Sequence, residues 1–274
     1  MDLNTIESVA RPRRRTEFPK WQAGDAFLAG GTWLFSEPQP KLTRLVDLTG
    51  LGWEPLRAKP SGLEIAATCK IARLDSATLP VGWTAAPLIN QCARAFLASF
   101  KIWNMATVGG NLCMSLPAGP MISLTAALDG TCTIWDAKGG ERTVKVVDFV
   151  RGPLQNVLGP GDILRQIDLP VAALTQRTAF RQISLSKLGR SGALVIGTMA
   201  ASGSFTLTIT ASTPKPFQFV FPKLPASGDL RARIERDLPL SGYFNDVHGK
   251  PAWRRHMTLH FAEEIRAELA GDPT

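Results

Sequence analysis

Two stretches of this 274-residue chain set consecutive glycines beside hydrogen-bonding side chains: Leu28-Ala29-Gly30-Gly31-Thr32-Trp33-Leu34 and Ala106-Thr107-Val108-Gly109-Gly110-Asn111-Leu112. Paired glycines let the backbone take positive φ and remove the Cβ atoms that hold a ligand away, so successive N–H groups can turn toward one anion. Thr32, Thr107 and Asn111 add side-chain donors to those amides. A diphosphate needs such a concave donor set, with or without a lysine. Taken alone, each pair is also what a plain tight turn requires, and both readings stay open.

Other chemistries find less support. Gly50-x-Gly52 runs into Pro55 where a dinucleotide fingerprint needs a third glycine, Gly159-Pro160-Gly161 is stiffened by its proline, and no G-x-x-x-x-G-K-[ST] occurs. Cys69, Cys92, Cys113 and Cys132 form no C-x-x-C pair and have no nearby histidine, so zinc and iron–sulfur sites are not expected; buried thiols in a reducing compartment are. His248, His256 and His260 all fall near the end, which leaves the first two hundred residues without the usual general base. We single out no catalytic residue and no metal ligand.

The chain carries 31 Lys+Arg against 23 Asp+Glu, a net charge of +8, but only 20% of its residues are charged and no aromatic-and-basic recognition motif appears, so a nucleic-acid partner is not expected. Arg11, Arg13, Arg14 and Arg15 form the densest basic patch, which reads as a docking face for an acidic partner or as a solvated arm. Charged residues, Gly or Pro interrupt every apolar run short of the roughly 18 residues a bilayer span needs. Arg14-Arg15 faintly resembles a twin-arginine signal, but Asp25 breaks the apolar stretch behind it, and the expectation is a cytoplasmic protein.

Alternation predicts the strands that must position these turns: Ala26–Ala29, Leu45–Leu48, Leu63–Cys69, Thr131–Asp136, Arg142–Val147, Ile163–Leu169, Ala179–Ser186, Phe205–Thr210 and Phe217–Phe221. Helical spacing predicts Ala85–Phe100, a short apolar helix Met121–Leu128 capped by a left-handed Gly130, and an amphipathic Ala252–Leu269. The last carries Trp253, Met257, Phe261, Ile265 and Leu269 on its packing stripe, with Arg254 and Arg255 elsewhere. Pro170 marks the main domain boundary, and a second break lies near Pro55–Gly62. Strands and helices without regular βαβ alternation indicate an α+β fold.

In this order the motifs resemble the FAD-binding, or medium, subunits of the xanthine dehydrogenase and carbon monoxide dehydrogenase group of molybdenum hydroxylases. The likeness covers most of the chain: Ala29-Gly30-Gly31-Thr32, Leu45-Val46-Asp47-Leu48, Leu63-Glu64-Ile65-Ala66-Ala67, then the second glycine turn with Pro117-Ala118-Gly119 behind it. Asp148-Phe149, Gly159-Pro160-Gly161-Asp162-Ile163-Leu164 and Trp253-Arg254-Arg255-His256 follow.

The resemblance implies a two-subdomain, PCMH-like FAD-binding fold over residues 1–170, with subdomains of about 1–55 and 56–170, and a C-terminal α+β domain of antiparallel sheet and helices over 175–274. FAD would lie non-covalently between the subdomains, against Leu28, Ala29, Gly30, Gly31, Thr32, Trp33 and Leu34 of the first turn and Thr107, Val108, Gly109, Gly110, Asn111 and Ser115 of the second. Leu164 matches a position on the adenine side, and Arg181 a basic position near the flavin, though Arg181 reads as well as a solvated strand residue. The implied activity is that of an FAD-dependent oxidoreductase subunit working in a complex. Electrons would come from an iron–sulfur small subunit, itself fed by a molybdopterin large subunit, and pass from FAD to an external acceptor; the molybdenum cofactor and [2Fe-2S] clusters would belong to those partners.

Two departures stand out. Where the family places an aspartate that bonds a cofactor sugar hydroxyl, this chain has Pro120, and Trp33 stands where a small polar residue or Asp is common. Trp33 is either a core anchor or a cover for one face of the cofactor. These departures keep a non-catalytic assembly subunit with weakened FAD binding in view, beside a stand-alone flavin oxidoreductase, which would need its own base near the ring.

Overall fold

The computed structural model describes residues 3–96 and 99–271. Near the N-terminus, β1 (Ser8–Ala10), β2 (Asp25–Leu28) and β3 (Arg44–Asp47) form a parallel sheet in the order β1-β3-β2. Parallel neighbours need a crossover, and the segment 29–43 that joins β2 to β3 carries the first glycine turn. The entry to β2 is fixed by charge. Arg44 holds the buried Asp25 with two hydrogen bonds, at 2.9 and 2.6 Å, and the Gln22 amide adds a third at 2.8 Å. Arg44's hydrogen bonds keep the Asp25 carboxyl below its ordinary pKa.

A five-stranded antiparallel sheet follows, ordered β4-β5-β10-β6-β7, from β4 (Leu56–Lys59), β5 (Gly62–Ala66), β6 (Thr131–Trp135), β7 (Glu141–Lys145) and β10 (Ile163–Pro170). Between β7 and β10 lies a small hairpin of β8 (Val150–Gly152) and β9 (Gln155–Asn156). Alternation sends Leu63, Ile65, Cys132, Ile134, Ile167 and Leu169 to one face. That face is packed by α1 (Ile71–Asp75), α2 (Ala86–Ala95), α4 (Val108–Met114) and α5 (Pro120–Ala127). Short helices α3 (Phe100–Trp103), α6 (Val146–Phe149) and α7 (Val171–Leu174) fill the connections.

The C-terminal sheet runs in sequence order: β11 (Arg177–Ile183), β12 (Ala193–Met199), β13 (Phe205–Thr210) and β14 (Phe217–Phe221). α8 (Ser227–Asp237) and α9 (Pro251–Ala270) cover one face. α9 lies so close that a Cβ on Gly197 would sit 2.3 Å from Ile265 Cγ2. The other face meets α5. Every residue of α5 is buried, as expected of a helix that is apolar all round, and its Ser123 hydroxyl bonds Thr210 Oγ1 at 2.7 Å to join the two halves.

Several expectations are corrected. The left-handed residue after α5 is Asp129, φ 53°, not Gly130; a Cβ on Gly130 would instead strike the Thr125 carbonyl oxygen at 2.6 Å. The helix expected over Ala85–Phe100 ends at Ala95, a separate turn forms at Phe100–Trp103, and residues 97–98 lie outside the described set. The strand expected over Leu63–Cys69 stops at Ala66, where the chain turns to bring Ala67 and Cys69 under α4. The strand expected over Arg142–Val147 stops at Lys145, and α6 begins at Val146. β1, β4, β8, β9, β12, α1, α4, α7 and α8 were not expected.

Candidate functional site

The two glycine turns meet. A Cβ on Gly30 would lie 2.0 Å from the Met105 carbonyl oxygen, so only glycine allows the first turn to rest against the backbone that leads into the second. Gly31 takes φ +69°, which an L side chain adopts at a cost, and bends the chain away from β2. Among the described residues, none of the five consecutive amides from Gly30 to Leu34 donates to a protein acceptor, and all five residues line one cavity. Trp33 is half-buried on that wall, so it is not a core anchor.

The second turn works differently from the expectation. Its glycines begin helix α4, and its first amides are already engaged: Val108 N–H donates to Cys69 at 2.8 Å and Gly109 N–H to Ala67 at 2.9 Å. Gly109 is needed for packing, because a Cβ there would lie 2.4–2.7 Å from three Ala67 atoms. The structure therefore removes Val108 and Gly109 from the cavity wall. Thr107, Gly110 and Asn111 remain on it. Thr107 caps α4, its Oγ1 accepting from Gly110 N–H at 3.0 Å, which leaves its own hydroxyl proton for a ligand. Asn111 Oδ1 accepts from Met121 N–H at 3.1 Å, which leaves Nδ2 as its outward donor. Pro120, at the first position of α5, contributes no donor and no side-chain acceptor.

Three further expected residues lie elsewhere. Ser115 is the left-handed cap of α4, buried, with its hydroxyl donating to Leu112 O at 2.9 Å. Leu164 is buried in the apolar core of the five-stranded sheet. Arg181 points to α9, ion-paired with Glu264 and Glu268 at 2.7 Å each.

The opposite wall comes from the C-terminal part of the chain and includes Arg190, Ser191, Phe244, Asp246, His248 and Arg254. Arg254, read from the sequence as off the packing stripe, is 1% exposed. Its guanidinium donates to Gly249 O at 3.0 Å, Gly192 O at 2.6 Å and Ala211 O, and pairs with Asp246. The same Asp246 oxygen accepts His248 N–H at 2.8 Å, so one buried cation shapes the loop that presents His248. The sequence signal was present in the run Trp253-Arg254-Arg255-His256, but nothing local distinguishes a buried arginine from a solvated one.

The cavity between these walls has a volume of about 820 Å³. It offers a row of free amides on one side, a hydroxyl and a carboxamide donor on the second, and cationic and imidazole groups on the third. This donor-rich, mostly preformed cleft fits a large ligand carrying a diphosphate. Among the described residues no group of three or more His, Cys, Asp or Glu is placed to hold a metal ion. Burial pushes the Cys69 and Cys113 thiols up to about 12, and Cys92 and Cys132 higher still.

A family described as the FAD binding domain in molybdopterin dehydrogenase matches residues 15–172, more than half of the chain. The chain belongs to this family. It is 26% identical over 163 residues to the caffeine dehydrogenase subunit beta of Pseudomonas sp. (strain CBB1), a match covering 58% of this chain and 54% of that one. It thus spans about half the length of that relative. The carbon monoxide dehydrogenase medium chain of Afipia carboxidovorans is 26% identical over 199 residues, 68% of this chain and 67% of that one. In fold the chain is similar to reconstituted CO dehydrogenase from Oligotropha carboxidovorans, with a TM-score of 0.79 over 96% of this chain and 98% of that one, at 22% identity. The family's cofactor, FAD, is a diphosphate of the size and polarity the cavity suits. No helix among the described residues is long and apolar enough to cross a membrane.

Proposed function

We propose that the chain is the FAD-binding, electron-transferring medium subunit of a cytoplasmic molybdenum hydroxylase complex. The observation that carries this reading is the row of free amides from Gly30 to Leu34 facing Thr107, Gly110 and Asn111 across one cavity. These groups would hold the FAD diphosphate non-covalently: the amides and the Asn111 Nδ2 as donors, the Thr107 hydroxyl as a further donor, Gly110 as the gap that admits the phosphate. FAD, when bound, accepts electrons singly and releases them in pairs. The chain's own part is to orient the cofactor between Trp33 and the Arg190–His248 wall and to keep water from its buried edge. The upstream iron–sulfur and molybdopterin subunits and the external acceptor belong to this proposal, as does a division into an FAD-binding unit to residue 170 and a C-terminal unit from 175.

Purification of the native complex through a tag on this chain tests the reading, with identification of the released flavin and of neighbouring subunits. FAD released in near one-to-one amount with cluster-bearing partners is the expected result. A chain with no flavin absorbance and no redox partner refutes it.

One observation favours a second reading. His248 lies on the cavity wall, an imidazole that a stand-alone flavin oxidoreductase would need as a base. Turnover of a small organic substrate by the isolated, FAD-loaded chain would support it, and its absence in the presence of a working complex would set it aside.

A further inference from the structure

The buried guanidinium of Arg254 has one donor left over. A guanidinium carries five N–H groups. Four of those on Arg254 are spent: Nε on Gly249 O at 3.0 Å, the two Nη1 hydrogens on Gly192 O at 2.6 Å and on Ala211 O, and one Nη2 hydrogen on Asp246 Oδ1. Among the described residues nothing accepts the second Nη2 hydrogen, although the side chain is 1% exposed and lines the cavity. A buried donor without an acceptor is costly, and native proteins rarely leave one. Here the space beside it is the ligand cavity.

Two neighbours on the same wall complete the pattern. Ser191 is buried, and its Oγ accepts Gln182 Nε2 at 2.9 Å, which leaves its own hydroxyl proton unspent. Asp246 uses only Oδ1, for Arg254 and for the His248 N–H at 2.8 Å, and its Oδ2 accepts nothing among the described residues. Both residues line the cavity. Arg254 ties the three together, because it bonds Asp246 directly and reaches Ser191 through the carbonyl of Gly192, the next residue. A Cβ on Gly192 would lie 2.3 Å from Trp253 Cζ3, so this wall is packed tightly against the start of α9. The result is a preformed edge of two donors and one acceptor, whose ordering has no further cost when a ligand arrives.

We propose that this edge recognises the pyrimidine ring of the flavin: Asp246 Oδ2 accepts the ring's imide N–H, and Arg254 Nη2 and the Ser191 hydroxyl donate to its carbonyl oxygens. The inference rests on the cofactor reading and deepens it. That ring offers two acceptors flanking one donor, the complement in number and kind of what the wall holds. Adenine, the other end of FAD, has a place on the opposite side. Phe27 lines both the cavity and a second recess of about 260 Å³, walled by Phe18, Trp21 and Trp135. Aromatic faces suit a purine, which binds by stacking more than by a fixed hydrogen-bonding edge.

The test titrates the full chain, stripped of flavin, with FAD, with FAD methylated at the imide nitrogen, and with ADP. Methylation removes the hydrogen that Asp246 accepts, and ADP lacks the ring altogether. Wild type is expected to bind FAD about tenfold or more tighter than methyl-FAD, because a site built to hydrogen-bond a group rejects the analogue without it. Asp246→Asn keeps an oxygen for Arg254 and puts a carboxamide nitrogen in place of Oδ2. It is expected to weaken FAD by about tenfold, leave ADP unchanged, and bring FAD and methyl-FAD within about threefold of each other. Ser191→Ala is expected to weaken FAD but not ADP and to keep the preference for FAD over methyl-FAD. Equal binding of FAD and methyl-FAD by wild type overturns the proposal, whether or not the variants fold. So does an undiminished preference in Asp246→Asn, or a loss of affinity that ADP shares in full. A wild-type chain that binds neither FAD nor ADP refutes the cofactor reading itself, and this inference with it.

Discussion

Gly109 and Gly110 are adjacent and identical, yet the structure gives them opposite duties, and two alanine substitutions separate them. At Gly109 the added methyl would lie 2.4 Å from Ala67 Cβ, 2.6 Å from its Cα and 2.7 Å from its carbonyl oxygen. Backbone cannot swing aside as a side chain can, so α4 must lift from the end of β5. Overpacking of this kind costs about 1–3 kcal/mol, and lifting also weakens the 2.9 Å bond from Gly109 N–H to Ala67 O, worth roughly 1 kcal/mol. At Gly110 the one contact an added Cβ would make beyond its chain neighbours and its own helix backbone, among the described residues, is Thr107 Oγ1 at 2.9 Å, and the residue faces the cavity. There the helix-propensity gain of about 1 kcal/mol offsets a disturbed cap of similar size. Heat unfolding of flavin-free protein should thus show Gly109→Ala destabilised by about 2–4 kcal/mol, or roughly 5–15 °C, and Gly110→Ala within about 1 kcal/mol of wild type. Flavin-fluorescence titration should show the reverse order of damage for Gly110→Ala, with FAD affinity down about tenfold or more, a change of about 1.4 kcal/mol. A Gly110→Ala protein that melts as early as Gly109→Ala, or that binds FAD like wild type, would refute the assignment.

Asp25→Asn should lower the melting temperature at neutral pH. The folded-state pKa of Asp25 is depressed, so its contribution is present above the unfolded value near ~3.9 and fades as pH falls through the folded one; the gap to wild type should close below about pH 4, and a gap that persists in acid contradicts this. Arg254→Met strands Asp246 and three carbonyl oxygens and should cost about 3–5 kcal/mol, readable by urea unfolding; a loss below about 1 kcal/mol would show that the guanidinium is dispensable. With Cys69, Cys92 and Cys132 buried and their thiols pushed to about 12 or beyond, a thiol-exchange reagent at pH 8 should label none of these three until the chain is unfolded, and their prompt labelling in the folded protein would be inconsistent with their burial.

Most of the elements legible in the sequence have one wet face, while α5, buried all round, was legible from its uninterrupted apolar run. β5, β6 and β10 alternate because one side of their sheet is open; β13 alternates in residue type, Phe205, Leu207 and Ile209 against Thr206, Thr208 and Thr210, although five of its six residues are buried. β12 was hidden for the opposite reason: six of its seven residues are buried between α5 and α9, so Leu194-Val195-Ile196-Gly197 shows no alternation. α8 was hidden by polarity, since only Leu230 and Ile234 of its eleven residues are buried. α4 was masked by its glycines, which read as a turn although one of them serves helix-to-strand packing. At the cavity, the local motifs pointed to Gly30 to Leu34, Thr107, Gly110 and Asn111, all of which line it, because backbone left open to a cleft carries a glycine signature. The Arg190–Arg254 wall leaves none, since tertiary docking alone brings those residues across from the motifs. Arg181 misled for a related reason: a basic residue on a strand says nothing about which neighbour it faces, and Glu264 and Glu268 claim it.

The cavity draws its walls from residues 27–37, 95–96, 102–120, 153–154 and 190–254, so a ligand lodged there touches the beginning, middle and end of the chain at once. Any opening motion that parts those segments must first release it. At a hundredfold excess over its dissociation constant such a ligand adds about 2.7 kcal/mol to the free energy of every such motion. Loading the site is therefore also a control on lifetime: a protease that samples transient openings would clear empty chains roughly a hundred times faster than filled ones, sorting loaded from unloaded subunits without recognising the cofactor.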